Sequence, residues 1–188
     1  FGGCMLTKEF VIEKMLNTYQ TTGCNMLQHG QLVLNEFDNI IKDQSSLPDL
    51  VRDIYDKLSS KILSKEIIDD YQLYHDCGKP FCKNEIDGKI HYPDHATVSY
   101  NIWMQLNEPN KEIVADLMLH DMDFHIMRGD DLKNLCKSEL APTLYFTAWA
   151  ELFTNAKMFG GIESISFKIK KKKLINAGKL IKLYMDLS

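Results

Sequence analysis

The chain has 188 residues, 45% of them hydrophobic and 26% charged, with a net charge of −4 at neutral pH. That length suits one domain, or one domain with an appendage, and the balance allows a real apolar core. It excludes a membrane span, because no window approaches the roughly 18–20 apolar residues that one needs, and an acidic chain does not suggest a large nucleic-acid groove.

In chain order, most segments carry helical spacing. The opening, FGGCMLTKEF, has no basic region followed by an apolar run, so no signal peptide is expected. Met5 is expected to be the natural start and residues 1–4 a cloning remnant. Residues 8–20 put Phe10, Ile12, Met15 and Leu16 near one helical face, and 25–43 repeats Met26, Val33, Phe37, Ile40 and Ile41 at steps of three and four. LPDLVRDIYDKLSSKI starts with a proline in its first turn. The stretch 64–76 offers Ser64 as N-cap and Gly78 as a left-handed stop. Periodicity then fails, and Asp87-Gly88 signals a hairpin turn. Helices are expected again over 95–106, 110–125 and 141–159, the last with Pro142 in its opening turn and Gly160-Gly161 after its end. A final basic helix follows. The fold class expected is all-α, one helical bundle with a short loop or β-hairpin insertion near 79–93. Residues 5–161 form the bundle, and 162–188 a basic helix packed on the same domain.

The charge is uneven. From Ile162 onward Lys168, Lys170, Lys171, Lys172, Lys173, Lys179 and Lys182 face only Glu163 and Asp186, a balance of +5 that leaves −9 for residues 1–161. The expected arrangement packs Ile169, Leu174, Ile175, Leu180, Ile181, Leu183 and Tyr184 inward with the lysines outward. The five cysteines (4, 24, 77, 82 and 136) are an odd, scattered set, which argues for reduced thiols and a cytoplasmic location. Cys77 and Cys82 lack the second pair that a structural zinc site needs.

The six histidines carry the chemical signal. A lone histidine on an amphipathic helix is ordinarily structural or solvated. Here His75, His91, His95, His120 and His125 cluster with carboxylates at segment ends, in YHDCGKP (74–80), HYPDH (91–95) and LHDMDFH (119–125), and His29 stands before them in MLQHGQ (26–31). Neutral imidazole and carboxylate, without thiolate, suit divalent first-row metals at a hydrolytic centre. His75 and Asp76 point about 100° apart on a helix but reach one ion if both sit at its last turn. Lys79 follows at once, where its ammonium can approach the phosphate oxygens of a bound substrate.

The ordered set His29 … His75-Asp76 … Asp121 resembles the HD-domain metal-dependent phosphohydrolase superfamily. Within it, HDCGKP … DGKIHYPDH … LHDMDFH is most similar to the HD domain of bacterial tRNA nucleotidyltransferases, over roughly residues 20–130. The chain departs from that subgroup in carrying Asp94 where glycine is frequent and Ala96 where glutamate is.

The resemblance implies a bundle of five or more helices around one or two ions of Mn, Fe, Co, Ni, Zn or Mg. It assigns His29, His75, Asp76 and Asp121 to the first metal, with Asp123 and Glu151 as competitors for the closing position. His91, His95 and His120 would bind a second metal or contact phosphate. Lys79 would offset phosphoryl charge, and Asp94 or His95 would be general acid. The implied activity is phosphatase or 2′,3′-cyclic phosphodiesterase action on a nucleotide or an RNA-end phosphoester. The two rival readings are an inactive nucleotide-binding module and a di-iron oxygenase of the same fold. Expected partners are a small phosphorylated substrate or RNA 3′ end, with weak nucleic-acid contact by the lysine-rich tail and no membrane.

Overall fold

A computed structural model describes residues 5–186, so the segment 1–4, read above as a remnant, lies outside the described residues. In order the elements are α1 (Lys8–Leu16), β1 (Tyr19–Thr21), β2 (Cys24–Asn25), α2 (Met26–Lys42), α3 (Asp49–Leu58) and a 3-10 turn (Ser59–Lys61). There follow α4 (Lys65–Tyr74), α5 (Lys79–Cys82), β3 (Asn84–Ile86), β4 (Lys89–His91), α6 (His95–Met104), α7 (Lys111–Leu119), α8 (Asp123–Ile126), α9 (Gly129–Lys137), α10 (Ala141–Met158) and α11 (Ile165–Tyr184). The chain is thus mostly helical, with two small antiparallel hairpins, β1–β2 and β3–β4. Two compact units divide it, one of residues 5–32 and 65–121, the other of 33–64 and 122–186, and the division falls within α2. Among the described residues no helix is long and apolar enough to cross a membrane.

In the first unit, α1 opens on Thr7, whose hydroxyl accepts from the Phe10 amide, and buries Val11 and Met15. Phe10 and Leu16, expected inside, are exposed. The helix stops at Leu16 rather than running to residue 20. Asn17 and Thr18 donate their side chains to the carbonyls of Glu13 and Lys14, competing with helix continuation. Tyr19 to Thr21 then pair with Cys24–Asn25 around Gly23, which takes φ +79°. The next helix starts on a reciprocal cap. Asn25 Oδ1 accepts from the Gln28 amide at 2.8 Å, and Gln28 Oε1 from the Asn25 amide at 2.9 Å.

Tyr74 at the end of α4 stacks on the buried Trp103 of α6, with ring centroids 5.3 Å apart. The ammonium of Lys8 lies over the Tyr74 ring and pairs with Glu108 at 2.5 Å. Gly78 does not take the left-handed conformation expected of it: φ is −80° and ψ −22°. Glycine is needed there for closeness instead. A β-carbon would sit 2.7 Å from the Val98 carbonyl carbon, and the Gly78 amide donates to Ser99 Oγ at 2.9 Å. Beyond α5 the expected hairpin forms, in register Asn84↔His91, Glu85↔Ile90 and Ile86↔Lys89, with positive φ at both Asp87 and Gly88.

In the second unit, α10 is apolar on nearly every side and buried accordingly. Tyr145 donates to the Leu174 carbonyl at 2.8 Å, and Gly178 leaves the room its ring needs. Thr143 Oγ1 accepts from the Leu63 amide. α11, capped by Ser164, buries Phe167, Leu174, Ala177, Gly178 and Ile181. Two differences from the sequence reading stand out. The helix expected over 110–125 breaks at His120 and resumes as α8 at Asp123. α9 was not expected at all, since it begins on Gly129 and has few apolar residues; its first turn carries Asp130 and Asp131, which complement the helix dipole, and it buries Leu132, Leu135 and Cys136.

The four described cysteines are free thiols. Burial pushes Cys77 up to about 12 and Cys136 up to about 11, and both side chains are sealed from solvent. Iodoacetamide labelling of the native chain at pH 8, read by mass spectrometry, is therefore expected to modify Cys24 and Cys82 well before Cys77 or Cys136, which should label only after urea is added.

Candidate metal centre

The site is assembled at the start of one helix and the end of another, both in the first unit. The Asn25–Gln28 cap fixes the beginning of α2 and so places His29 in its first turn. Gly30 follows. A β-carbon at Gly30 would lie 2.8 Å from the Leu73 carbonyl carbon and 2.9 Å from the Gln72 carbonyl oxygen. Only glycine lets α2 lie against the last turn of α4. That approach brings the His29 and His75 rings to 5.6 Å between centroids, with a nitrogen of each within 4.8 Å of the other.

His75 and Asp76 do not sit in the last turn of α4, as expected, but in the turn of residues 75–78 just beyond it. Cys77 and Gly78 hold this turn to α6 through Ser99, by a thiol bond to the Ser99 carbonyl and the amide bond to its hydroxyl. His75 Nδ1 lies 2.7 Å from the Gln72 carbonyl. A carbonyl can only accept, so Nδ1 carries a proton whether the ring is charged or neutral, and Nε2 is the nitrogen that would meet a metal. That Nε2 is 3.2 Å from Asp76 Oδ2, and His29 Nε2 is 4.0 Å from the same oxygen. All three side chains are buried.

Lys79, in the first turn of α5, puts its ammonium 3.2 Å from Asp76 Oδ2, 3.1 Å from Gln20 Oε1 and 5.4 Å from the centre of the Tyr92 ring. Burial alone would push the Asp76 carboxyl up. The adjacent His75 and Lys79 charges outweigh it and hold the group well below the usual carboxylate range. The buried group is therefore an anion at neutral pH. Two imidazoles and one carboxylate, converging without thiolate, fit a divalent first-row cation. The Gln72 side-chain amide is itself buried with no protein hydrogen-bond partner.

The remaining expected residues are distributed differently. Asp121 follows the end of α7, and the Tyr71 hydroxyl donates to its Oδ1, tying it to α4 four residues before His75. His120 caps α7. His91 is exposed on β4 opposite Asn84. His95 opens α6 half-buried, with Nδ1 turned to the Tyr92 carbonyl at 3.3 Å. Asp94 precedes it, exposed, in the left-handed conformation. Among the described residues, none of Asp76, His91, His95, His120 and Asp121 joins a set of three or more histidine, cysteine or carboxylate side chains with ligating atoms all within 4.8 Å, and Asp76 meets the two imidazoles only pairwise. Asp123 and His125 lie on α8 and Glu151 on α10, in the second unit, where Glu151 Oε1 accepts from Asn155 at 3.4 Å.

Three contributors escaped the sequence reading. Gln20 meets Lys79 across 59 residues and carries no local signal. Tyr71 and Gln72 read as ordinary residues of a helix. The Asn25-x-x-Gln28 spacing, by contrast, is a legible cap signature and fixes the start of the helix that bears His29.

Gly30→Ala is expected to cost about 1–3 kcal/mol of stability through overpacking. It should weaken Ni(II) binding, measured by calorimetry, by about tenfold or more, because His29 is carried away from His75. Unchanged affinity in a folded Gly30→Ala protein would mean that the two rings need not be this close.

Comparison with protein-family models, with curated proteins and with solved structures found no match.

Proposed function

We propose that the chain is a metal-dependent phosphohydrolase of the HD type. It acts on a nucleotide or RNA-end phosphoester, as a phosphatase or a 2′,3′-cyclic phosphodiesterase, in the cytoplasm. The observation that carries the reading is the meeting of His29 and His75 over the buried Asp76 anion, with the Lys79 ammonium on the same carboxylate oxygen. These are the residues that the family resemblance assigns to the metal and to phosphate.

His29, His75 and Asp76 would hold the cation. When bound, it supplies hydroxide at neutral pH and polarises a phosphoryl oxygen. The chain's own residues do the rest. The Gln72 carbonyl holds the His75 ring at Nδ1, so Nε2 would be the nitrogen that meets the ion. Lys79, positioned by Gln20 and Asp76, sets a positive charge where negative charge grows on the transferring phosphoryl group. Proton delivery to the leaving oxygen falls to His95. Its half-buried ring is oriented by the Tyr92 carbonyl.

The test is a panel of phosphoesters, including 2′,3′-cyclic nucleotides, crossed with Mn, Co, Ni and Mg. Release of phosphate or ring opening is expected with at least one metal. His75→Ala and Asp76→Asn should each lower the rate by about 100-fold or more while the circular dichroism is retained. Full activity in both folded variants would end the hydrolase reading.

The closing carboxylate is decided separately, by Mn(II) affinity in Asp121→Asn, Asp123→Asn and Glu151→Gln. The ligand is the one whose loss weakens binding by about tenfold or more. Equal affinity in all three would leave the site without a closing carboxylate from this set.

A further inference from the structure

α11 has two faces, and the sequence accounts for only one of them. Advancing 100° per residue, Phe167, Leu174, Ala177, Gly178 and Ile181 fall together on the buried side. Opposite them lie Ile165, Ile169, Lys172, Asn176, Lys179 and Leu183. The sequence reading packed Ile169 and Leu183 inward. Both are exposed, at 64% and 67%, and Ile165 at 78%. Ile165 and Leu183 are 18 residues apart, five full turns, so they share one bearing at either end of a face about 27 Å long.

Just before the helix, Phe159 and Ile162 are also exposed, in a connector turned by Gly160 and Gly161 at positive φ. Large aliphatic side chains thus recur along a surface whose charged members are lysines. Of these, Lys182 is engaged with Asp53, Lys168 with Glu163 and Lys173 with the Met127 carbonyl. Lys172 and Lys179 stand exposed on this face.

We propose that this outward face of α11 docks peripherally on an anionic lipid bilayer, lying in the plane of the interface. The aliphatics enter the acyl boundary and the lysines meet the headgroup charge. This departs from the expectation of no membrane partner, and the exposure of Ile165, Ile169 and Leu183 is the reason. Charge complementarity selects the occupant. The segment from residue 162 carries +5, against −9 for the rest of the chain, so an anionic surface would attract this segment rather than the remainder.

A second copy fits poorly, because two lysine faces repel each other. RNA fits the lysines but has no use for exposed branched aliphatics, since single strands stack on aromatic rings.

The experiment is co-sedimentation of the full chain with phosphatidylcholine vesicles, with and without 30 mol% phosphatidylserine (roughly the anionic content that P/S-rich leaflets present), in about 0.1 M salt. Binding to the anionic vesicles should exceed that to the neutral ones by about tenfold or more. Two surface variants, Ile165→Asn/Ile169→Asn and Lys172→Gln/Lys179→Gln, should each lose about fivefold or more without any change in circular dichroism. Three results would overturn the proposal. One is no preference for anionic vesicles. Another is a lysine variant that loses binding while the isoleucine variant keeps it, together with tighter binding of a single-stranded RNA oligomer in fluorescence anisotropy, which would make the face a nucleic-acid surface. The third is a dimer in sedimentation velocity that the isoleucine variant dissolves, which would make it a contact between copies.

Discussion

The approach of α2 to the end of α4 at Gly30 is the constraint on which the candidate site depends. Imidazoles on two helices can face one another only if the backbones come closer than a β-carbon permits, and the Leu73 and Gln72 carbonyls occupy that space. The same device recurs 48 residues on. Gly78 brings the turn bearing His75 and Asp76 onto the backbone of α6 at Ser99. Two glycines, neither in a left-handed conformation, thus set the position of the turn from opposite sides. The fold stabilises a buried anion in return for this packing, because His75, Lys79 and the nearby His29 compensate the desolvation of Asp76.

That local architecture gives each polar group one orientation. His75 is held by a backbone carbonyl, Lys79 by Gln20 and Asp76, and His29 by its place in a capped first turn. Groups so fixed need little reorganisation when charge develops beside them, which is the physical basis for assigning phosphoryl chemistry to this cluster rather than to the more exposed His91 and Asp94.

How much of this the sequence disclosed can be judged residue by residue. The helical periods gave α2, α4, α6 and α10 nearly to their ends, and Asp87-Gly88 gave the second hairpin, because apolar spacing and turn chemistry are local. The pairing of His75 with Asp76 was likewise visible in the doublet. The first hairpin was not, since Asn17 and Thr18 end α1 through side-chain bonds that periodicity does not register. Gly78 was read for its backbone freedom, whereas its role is closeness to a strand of backbone 21 residues away. Gln20, Tyr71 and Asp121 enter through long-range contacts that no local pattern encodes. The outward aliphatics of α11 were legible as residues, but their exposure depends on which face Tyr145 and its neighbours claim.

Pulsed electron paramagnetic resonance of the chain loaded with Mn(II) addresses the central claim most directly. The account predicts nitrogen couplings from two imidazoles, one lost in His29→Gln and the other in His75→Gln. A bound ion showing no imidazole nitrogen, or the same spectrum in both variants, would contradict it.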